Sequence, residues 1–266
     1  MASRLRLVWL LASAALAAGL LAAAPASATF HLIKVREVFP GTAAQPQSGY
    51  VELQAYSAFQ NQVYAGQLHV YNADGSLASS FMPSPPPLPR TDNQMTFVIA
   101  DSAFGSVFPG VTPDFTDSSL NLNPSAGAVC WPITELPIDC VSWGAFTGNG
   151  NLPASAGSPL QGTGTSGAIG DGKAIIRSIA AGCPTLLEDG DDTNNSVADF
   201  SETAPNPRPN AAAIAEVACP MAPGPVGSPI HKKKKCKKKH KKVAGGGGGG
   251  NTPAYSAKKH CKKKHR

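Results

Sequence analysis

Histidine is almost missing from the first 230 residues of this 266-residue chain. His31 and His69 are the two that occur, and neither sits at metal-ligand spacing or beside a G-x-S-x-G elbow. No H-E-x-x-H segment and no phosphate loop is present either. Without a base, a metal pair or a phosphate cradle, the commonest hydrolytic and nucleotide-dependent chemistries have nothing to stand on, and the chain is expected not to be an enzyme. Helical periodicity is lacking as well. After residue 28 there is no apolar run long enough to cross a bilayer, so no membrane span is expected in the exported chain.

What is present begins with an export signal. Arg4 and Arg6 precede an unbroken apolar run over residues 7–24, and Ala26-Ser27-Ala28 completes a small-x-small site. Charge, apolar stretch and small residues in that order are expected to form a secretory signal peptide, residues 1–28, cleaved after Ala28. No cysteine follows the site and the two arginines are not adjacent, which points to general export of a secreted, extracellular protein and away from lipid anchoring.

Charge is divided sharply along the remainder. Residues 29–230 hold all 17 acids against six bases (Lys34, Arg36, Arg90, Lys173, Arg177 and Arg208), a net charge of −11. Residues 231–266 hold 14 lysines, one arginine and no acid, a net charge of +15. The mild overall value of +6 hides this split. Such asymmetry speaks about electrostatic partners and not about fold.

The acidic part, residues 29–219, has the pattern of an all-β domain. FHLIKVREV, YVELQAY, GQLHVYN, QMTFVIA, AGAVCW and DCVSWGAF are short and rich in β-branched and aromatic residues. Turn formers separate them: NADGS, PSPPPLP, FPGVTPD and the long GNGNLPASAGSPLQGTGTSG. Alternation in KVREV and YVELQAY predicts sheets buried on one face. Six or seven such strands predict a β-sandwich. Four cysteines lie here, Cys130, Cys140, Cys183 and Cys219, and an exported chain is expected to oxidise them. Three pairings are open. Cys130–Cys140 across a hairpin and Cys183–Cys219 pinning a C-terminal strand are favoured by neighbourhood.

Several segments resemble the lamin tail domain family. YVELQAYS (50–57) is similar to its YVEL strand, IDCVSWG (138–144) to its D-x-V-x-W/Y-G strand, and DDTNNSVADF (191–200) with APNPRPN (204–210) to its late D-T-x-x-N segment and P-x-P exit. They occur in the family's order over residues 32–212. The resemblance implies an immunoglobulin-like β-sandwich of the kind found in secreted or surface proteins, alone or beside extracellular nucleases and phosphatases, as a non-catalytic module. The chain departs from the family pattern at Leu68 and Val70, where a tryptophan is usual, and in the insertion 83–89.

Residues 220–230 (PMAPGPVGSPI) read as a Pro/Gly linker, and residues 231–266 as a disordered Lys/His/Cys tail with a glycine hinge at 245–250. The tail repeats CKKKH-[KR] at 236–241 and 261–266. Lys232, Lys233, Lys234, Lys235, Lys237, Lys238, Lys239, Lys241, Lys242, Lys258, Lys259, Lys262, Lys263, Lys264 and Arg266 are the candidate polyanion-binding residues. Lysines with only Tyr255 for stacking bind phosphate-rich polymers through counterion release and do not read bases, so sequence-specific nucleic-acid recognition is not expected. Anionic envelope polymers or other extracellular polyanions are the expected partners. A tail that merely solubilises is the plainer alternative.

Two places invite a metal. In LEDGDDTNNS, Asp189, Asp191 and Asn195 alternate on a loop that could wrap Ca²⁺. Glycine stands second where an EF-hand has it sixth, and an Asx-rich turn before a strand at 197–200 accounts for the same residues. In the tail, Cys236 with His240 and Cys261 with His265 share C-x₃-H spacing suited to Zn²⁺ or Cu⁺. Disulfide cross-linking through Cys236 and Cys261, within or between chains, competes with it. The expected function is a secreted, non-catalytic β-sandwich module held at the cell envelope by its polybasic tail. An accessory module or enzyme acting on extracellular phosphoesters, or metal binding by the tail, are the alternatives.

Overall fold

A computed structural model describes residues 30–220. The expected signal peptide (1–28), most of the Pro/Gly linker and the whole basic tail lie outside the described residues. Ten strands form two sheets. In chain order they are β1 (Ile33–Phe39), β2 (Tyr50–Ala55), β3 (Leu68–Tyr71), β4 (Leu77–Phe81), β5 (Thr96–Ala100), β6 (Phe115–Thr116), β7 (Ala126–Trp131), β8 (Asp139–Gly144), β9 (Ala174–Arg177) and β10 (Phe200–Thr203). One sheet runs β10-β9-β1-β2-β5-β6 and the other β4-β3-β7-β8. Pairing is antiparallel except between β5 and β6. The helical elements are single turns, among them α1 (Phe104–Val107) and α2 (Ser196–Asp199).

The two sheets enclose one apolar core, a β-sandwich. Val35, Val51, Leu53, Phe97 and Ile99 come to it from one sheet, and Val70, Val129, Trp131, Val141 and Trp143 from the other. Alternate residues of strands such as β2, β5, β7 and β8 face this layer, as the pleat requires. Truncating a residue such as Leu53 would cost about 2–5 kcal/mol, since it is fully buried. Both disulfides form: Cys130–Cys140 ties β7 to β8, and Cys183–Cys219 closes a 36-residue span.

Local chemistry explains the turns. Asn72 to Ser76 link β3 and β4, with Gly75 at φ +80° and its N–H donating to the Asn72 carbonyl at 2.9 Å. Gly144 closes the IDCVSWG motif at φ +64°, where a Cβ would stand 1.9 Å from the Ser125 carbonyl oxygen, so no larger residue fits.

Three expectations need correction. The six-stranded sheet is not buried on one face only: Tyr50, Glu52 and Gln54, which alternate with the core residues of β2, are buried too. Their face is covered by Phe104, Phe108 and Val111 around α1 and by the irregular strap 204–216. The segment 197–200 is not a strand. Asp199 accepts the Thr193 and Asn195 amides and winds the chain into α2, and the strand begins only at Phe200. Finally, Cys183–Cys219 joins two irregular segments and pins no strand.

Candidate functional site

Two clusters of buried charge dominate the domain. The first lies between the sheets. Arg177 of β9 donates to both oxygens of Asp139 on β8, at 2.6 and 2.8 Å, and both side chains are 1% exposed. The pair is there because β1 bulges at Arg36: Val35 faces Leu53 and Glu37 faces Glu52, leaving Arg36 without a partner on β2. Pairing of β1 with β9 is confined to Glu37 and Val38. The Val35 backbone therefore bonds to side chains, its N–H donating to Asp139 Oδ2 at 2.6 Å and its carbonyl accepting from Arg177 Nε at 3.0 Å. Side chains replace the ladder and clasp one sheet to the other.

The loop 189–199 completes this cluster. Arg177 Nη1 donates to the Asp191 carbonyl at 3.2 Å and faces Asp192 at 3.4 Å and Asp199 at 3.7 Å. Lys34 Nζ reaches Asp192 at 2.8 Å and Asp189 at 3.1 Å. Burial alone would lower the Arg177 guanidinium, but Asp139 and Asp192 hold it above its ordinary range. Burial likewise works to raise Asp192, yet Arg177 and Lys34 together keep it below the usual carboxylate range. A buried charge without a partner costs several kcal/mol, so these groups are retained as a set.

The second cluster lies under the strap, on the outer face of the six-stranded sheet. Arg208 donates its backbone N–H to Glu52 at 2.7 Å and its Nε at 3.0 Å, and reaches Glu216 at 2.8 Å. Glu37 accepts from the Tyr50 hydroxyl at 2.7 Å and from the Asn206 amide at 2.9 Å. Asn210 follows, its amide on Asp114 and its side chain donating to the Thr96 carbonyl at 3.1 Å. Burial pushes Glu52 up to about 8, with Arg208 opposing and neighbouring Glu37 adding to the rise. The bulged Arg36 lies here too, and its Nε and Nη1 take no hydrogen bond among the described residues.

The consequence for the domain's exterior is simple. Of its six bases, Lys34 and Arg177 are buried, Arg36, Arg90 and Arg208 are half-buried, the last two paired with carboxylates, and Lys173 alone is exposed. The exterior of the described residues is left acidic.

Among the hollows of the described residues is a cleft of about 440 Å³ beside the end of β1. Pro40, Pro46, Leu122, Pro124 and Ile169 supply its apolar wall, and Asp171 is its one ionisable residue. Asp171 already accepts the Ala43 amide at 2.7 Å. With no cation the cleft does not suit an anion, and with no histidine or cysteine it assembles no nucleophile and base. His69 lies elsewhere, on β3, with Nδ1 3.1 Å from the Tyr71 hydroxyl.

Of the residues singled out for metal, Asp189, Asp191 and Asn195 have protein partners. Asp189 pairs with Lys34, Asp191 accepts the Glu188 and Ala180 amides, and Asn195 accepts the Ser158 amide. The other four metal candidates, Cys236, His240, Cys261 and His265, lie outside the described residues, as do the candidate polyanion-binding lysines. Among the described residues no three His, Cys, Asp or Glu side chains gather in a way that could hold an ion. Sequence reasoning missed Asp139, Arg177, Glu52 and Arg208. For Asp139, Arg177 and Glu52 the available signal was a charge placed in a largely apolar strand; Arg208 lies in the irregular strap and had no such signal. No protein-family model matches the chain, and neither a curated protein nor a solved structure does.

Proposed function

We propose that this chain is a secreted, non-catalytic β-sandwich module, immunoglobulin-like and akin to the lamin tail domains, held on anionic envelope polymers or other extracellular polyanions by its polybasic tail. The observation that carries the reading is the division of charge. The domain leaves one of its six bases fully exposed, the others being buried or half-buried, whereas residues 231–266 carry +15 with no acid. Polyanion affinity therefore rests with the tail, where lysine binds as a point charge and is displaced by salt. That the buried charges are engaged in two structural clusters, and that the one carboxylate of the cleft, Asp171, already accepts the Ala43 amide, supports a module without catalysis.

Fractionation tests this directly. The full chain is expected to remain with envelopes at low salt and to be stripped by about 0.5 M salt, where screening shortens the reach of each charge to a few ångströms. A chain ending at Ile230 should appear in the medium. Equal retention of the two would contradict the proposal.

A further inference from the structure

The four-stranded sheet has two edges, and they are treated differently. The β8 edge is closed: the Ser142 amide donates to Ser196 Oγ at 2.9 Å, the Leu160 amide to the Ser142 carbonyl at 3.0 Å and the Gly144 amide to the Leu160 carbonyl at 2.8 Å. β4 has no such backbone cover among the described residues: Ser79 Oγ donates to the Leu120 carbonyl at 3.2 Å, but the amides of Ala78, Ser80 and Met82 join no backbone hydrogen bond beyond the strand ladder.

Which β4 groups point outward follows from the disulfide on the other side of the sheet. Cys130 and Cys140 are paired residues with Cα atoms 4.1 Å apart, the narrow spacing of a pair that exchanges no backbone hydrogen bonds. The Cys130 amide and carbonyl therefore face β3, where its partner is His69. His69 spends its own backbone groups on β7, so its pairing with Ser80 is again a narrow one. The Ser80 N–H and C=O thus point away from the sheet.

The side chains along this edge agree. Ala78 and Phe81 pack against the core, while Leu77 and Met82, 53% and 55% exposed, flank Ser80 on the outer face. Between Asp74 and Arg90 the chain has no charged residue, although the domain holds 17 acids. Lysine, proline or an inward charge commonly blunts an edge, and residues 77–82 have none of these.

We infer that β4 is where two copies of this chain associate, antiparallel and edge to edge about a two-fold axis, joining two four-stranded sheets into one of eight. The segment is complementary to itself: Ser80 meets its own copy, and Leu77 of each copy lies beside Met82 of the other. A second copy is the occupant because two acidic domains repel elsewhere and can approach at this uncharged stretch. The register irregularity at Ala78 confines pairing to a few residues, which makes the contact a small and weak one.

Sedimentation of the full chain tests this from about 1 µM to about 500 µM. The runs are made in about 0.5 M salt to screen the tail, with Cys236→Ser and Cys261→Ser so that thiol cross-links do not contribute. The weight-average mass should climb from monomer toward dimer. Ser80→Lys, which keeps the amide but sets two ammonium groups against each other across the axis, should stay monomeric with an unchanged melting temperature. Ser80→Pro, which removes the central donor, should do the same. A chain that stays monomeric over the whole range, or a Ser80→Lys variant that dimerises like the parent, overturns the inference.

Discussion

The two charge clusters are built from the same kinds of group and do different work. Between the sheets, Arg177 and Asp139 sit on strands and bond to the Val35 backbone, where the bulge interrupts the ladder. Under the strap, Arg208 belongs to a segment with no regular structure, and the carboxylates of Glu37 and Glu52 receive its amides. The first cluster fixes how two sheets face each other. The second fastens a coil that has no ladder of its own. Buried charge here substitutes for backbone pairing wherever pairing is missing.

The comparison can be broken by mutation. Arg177→Met should be the most damaging change, because it strands Asp139 in the interior: about 3–5 kcal/mol, or a fall in melting temperature of roughly 10 °C for a domain of this size. Arg208→Met should cost less, about 1–3 kcal/mol, since Arg208 is partly exposed and the strap is also held by Asn206, Asn210 and the Cys183–Cys219 bond. Hydrogen exchange separates the two. Arg177→Met should raise exchange in β1, β8 and β9 together, and Arg208→Met only in the strap and the face beneath it.

Next in size is the response to pH, which should have opposite sign for one carboxylate of each cluster, Glu52 and Asp192. Glu52 titrates at about 8 when folded and in the ordinary carboxylate range when unfolded, so between those values the folded state binds the extra proton. Its contribution to stability is greatest in acid and is lost as pH rises toward 8. Asp192 is held below its ordinary value, so its contribution is present at neutral pH and lost as pH falls through that lower value. Glu52→Gln should flatten the alkaline side of a stability–pH curve, and Asp192→Asn the acid side. Both substitutions flattening the same side would undo the distinction. The smallest effect expected is that of Lys173→Ala, which removes an exposed base with no ion pair at hydrogen-bond range among the described residues and should shift stability by no more than about 0.5 kcal/mol.

Much of the sandwich is legible in the sequence, because strands such as YVELQA and TFVIA alternate in plain view. Other parts are not. AIIR is buried in a glycine-rich run, and LASSF has little to mark it as a strand. The second covered face is hidden for a physical reason: its polar residues look solvent-facing until the strap supplies their partners from more than 150 positions away. The Asp-rich loop shows the same limit. Its composition suits a cation, and the cation it finds is Lys34, which the fold brings in from β1. Cys130–Cys140 is readable from hairpin spacing, whereas the neighbours of Arg177 come from three separate segments and no local pattern announces them.

The central claim is the proposal that affinity for polyanions belongs to the tail, since five of the domain's six bases are buried or half-buried. Salt-gradient elution of the full chain and of a chain ending at Ile230 from one anionic polymer column tests it most directly. The account predicts that the full chain elutes late, with a steep dependence on salt concentration, and that the shortened chain passes through unretained. Late elution of the shortened chain would contradict it.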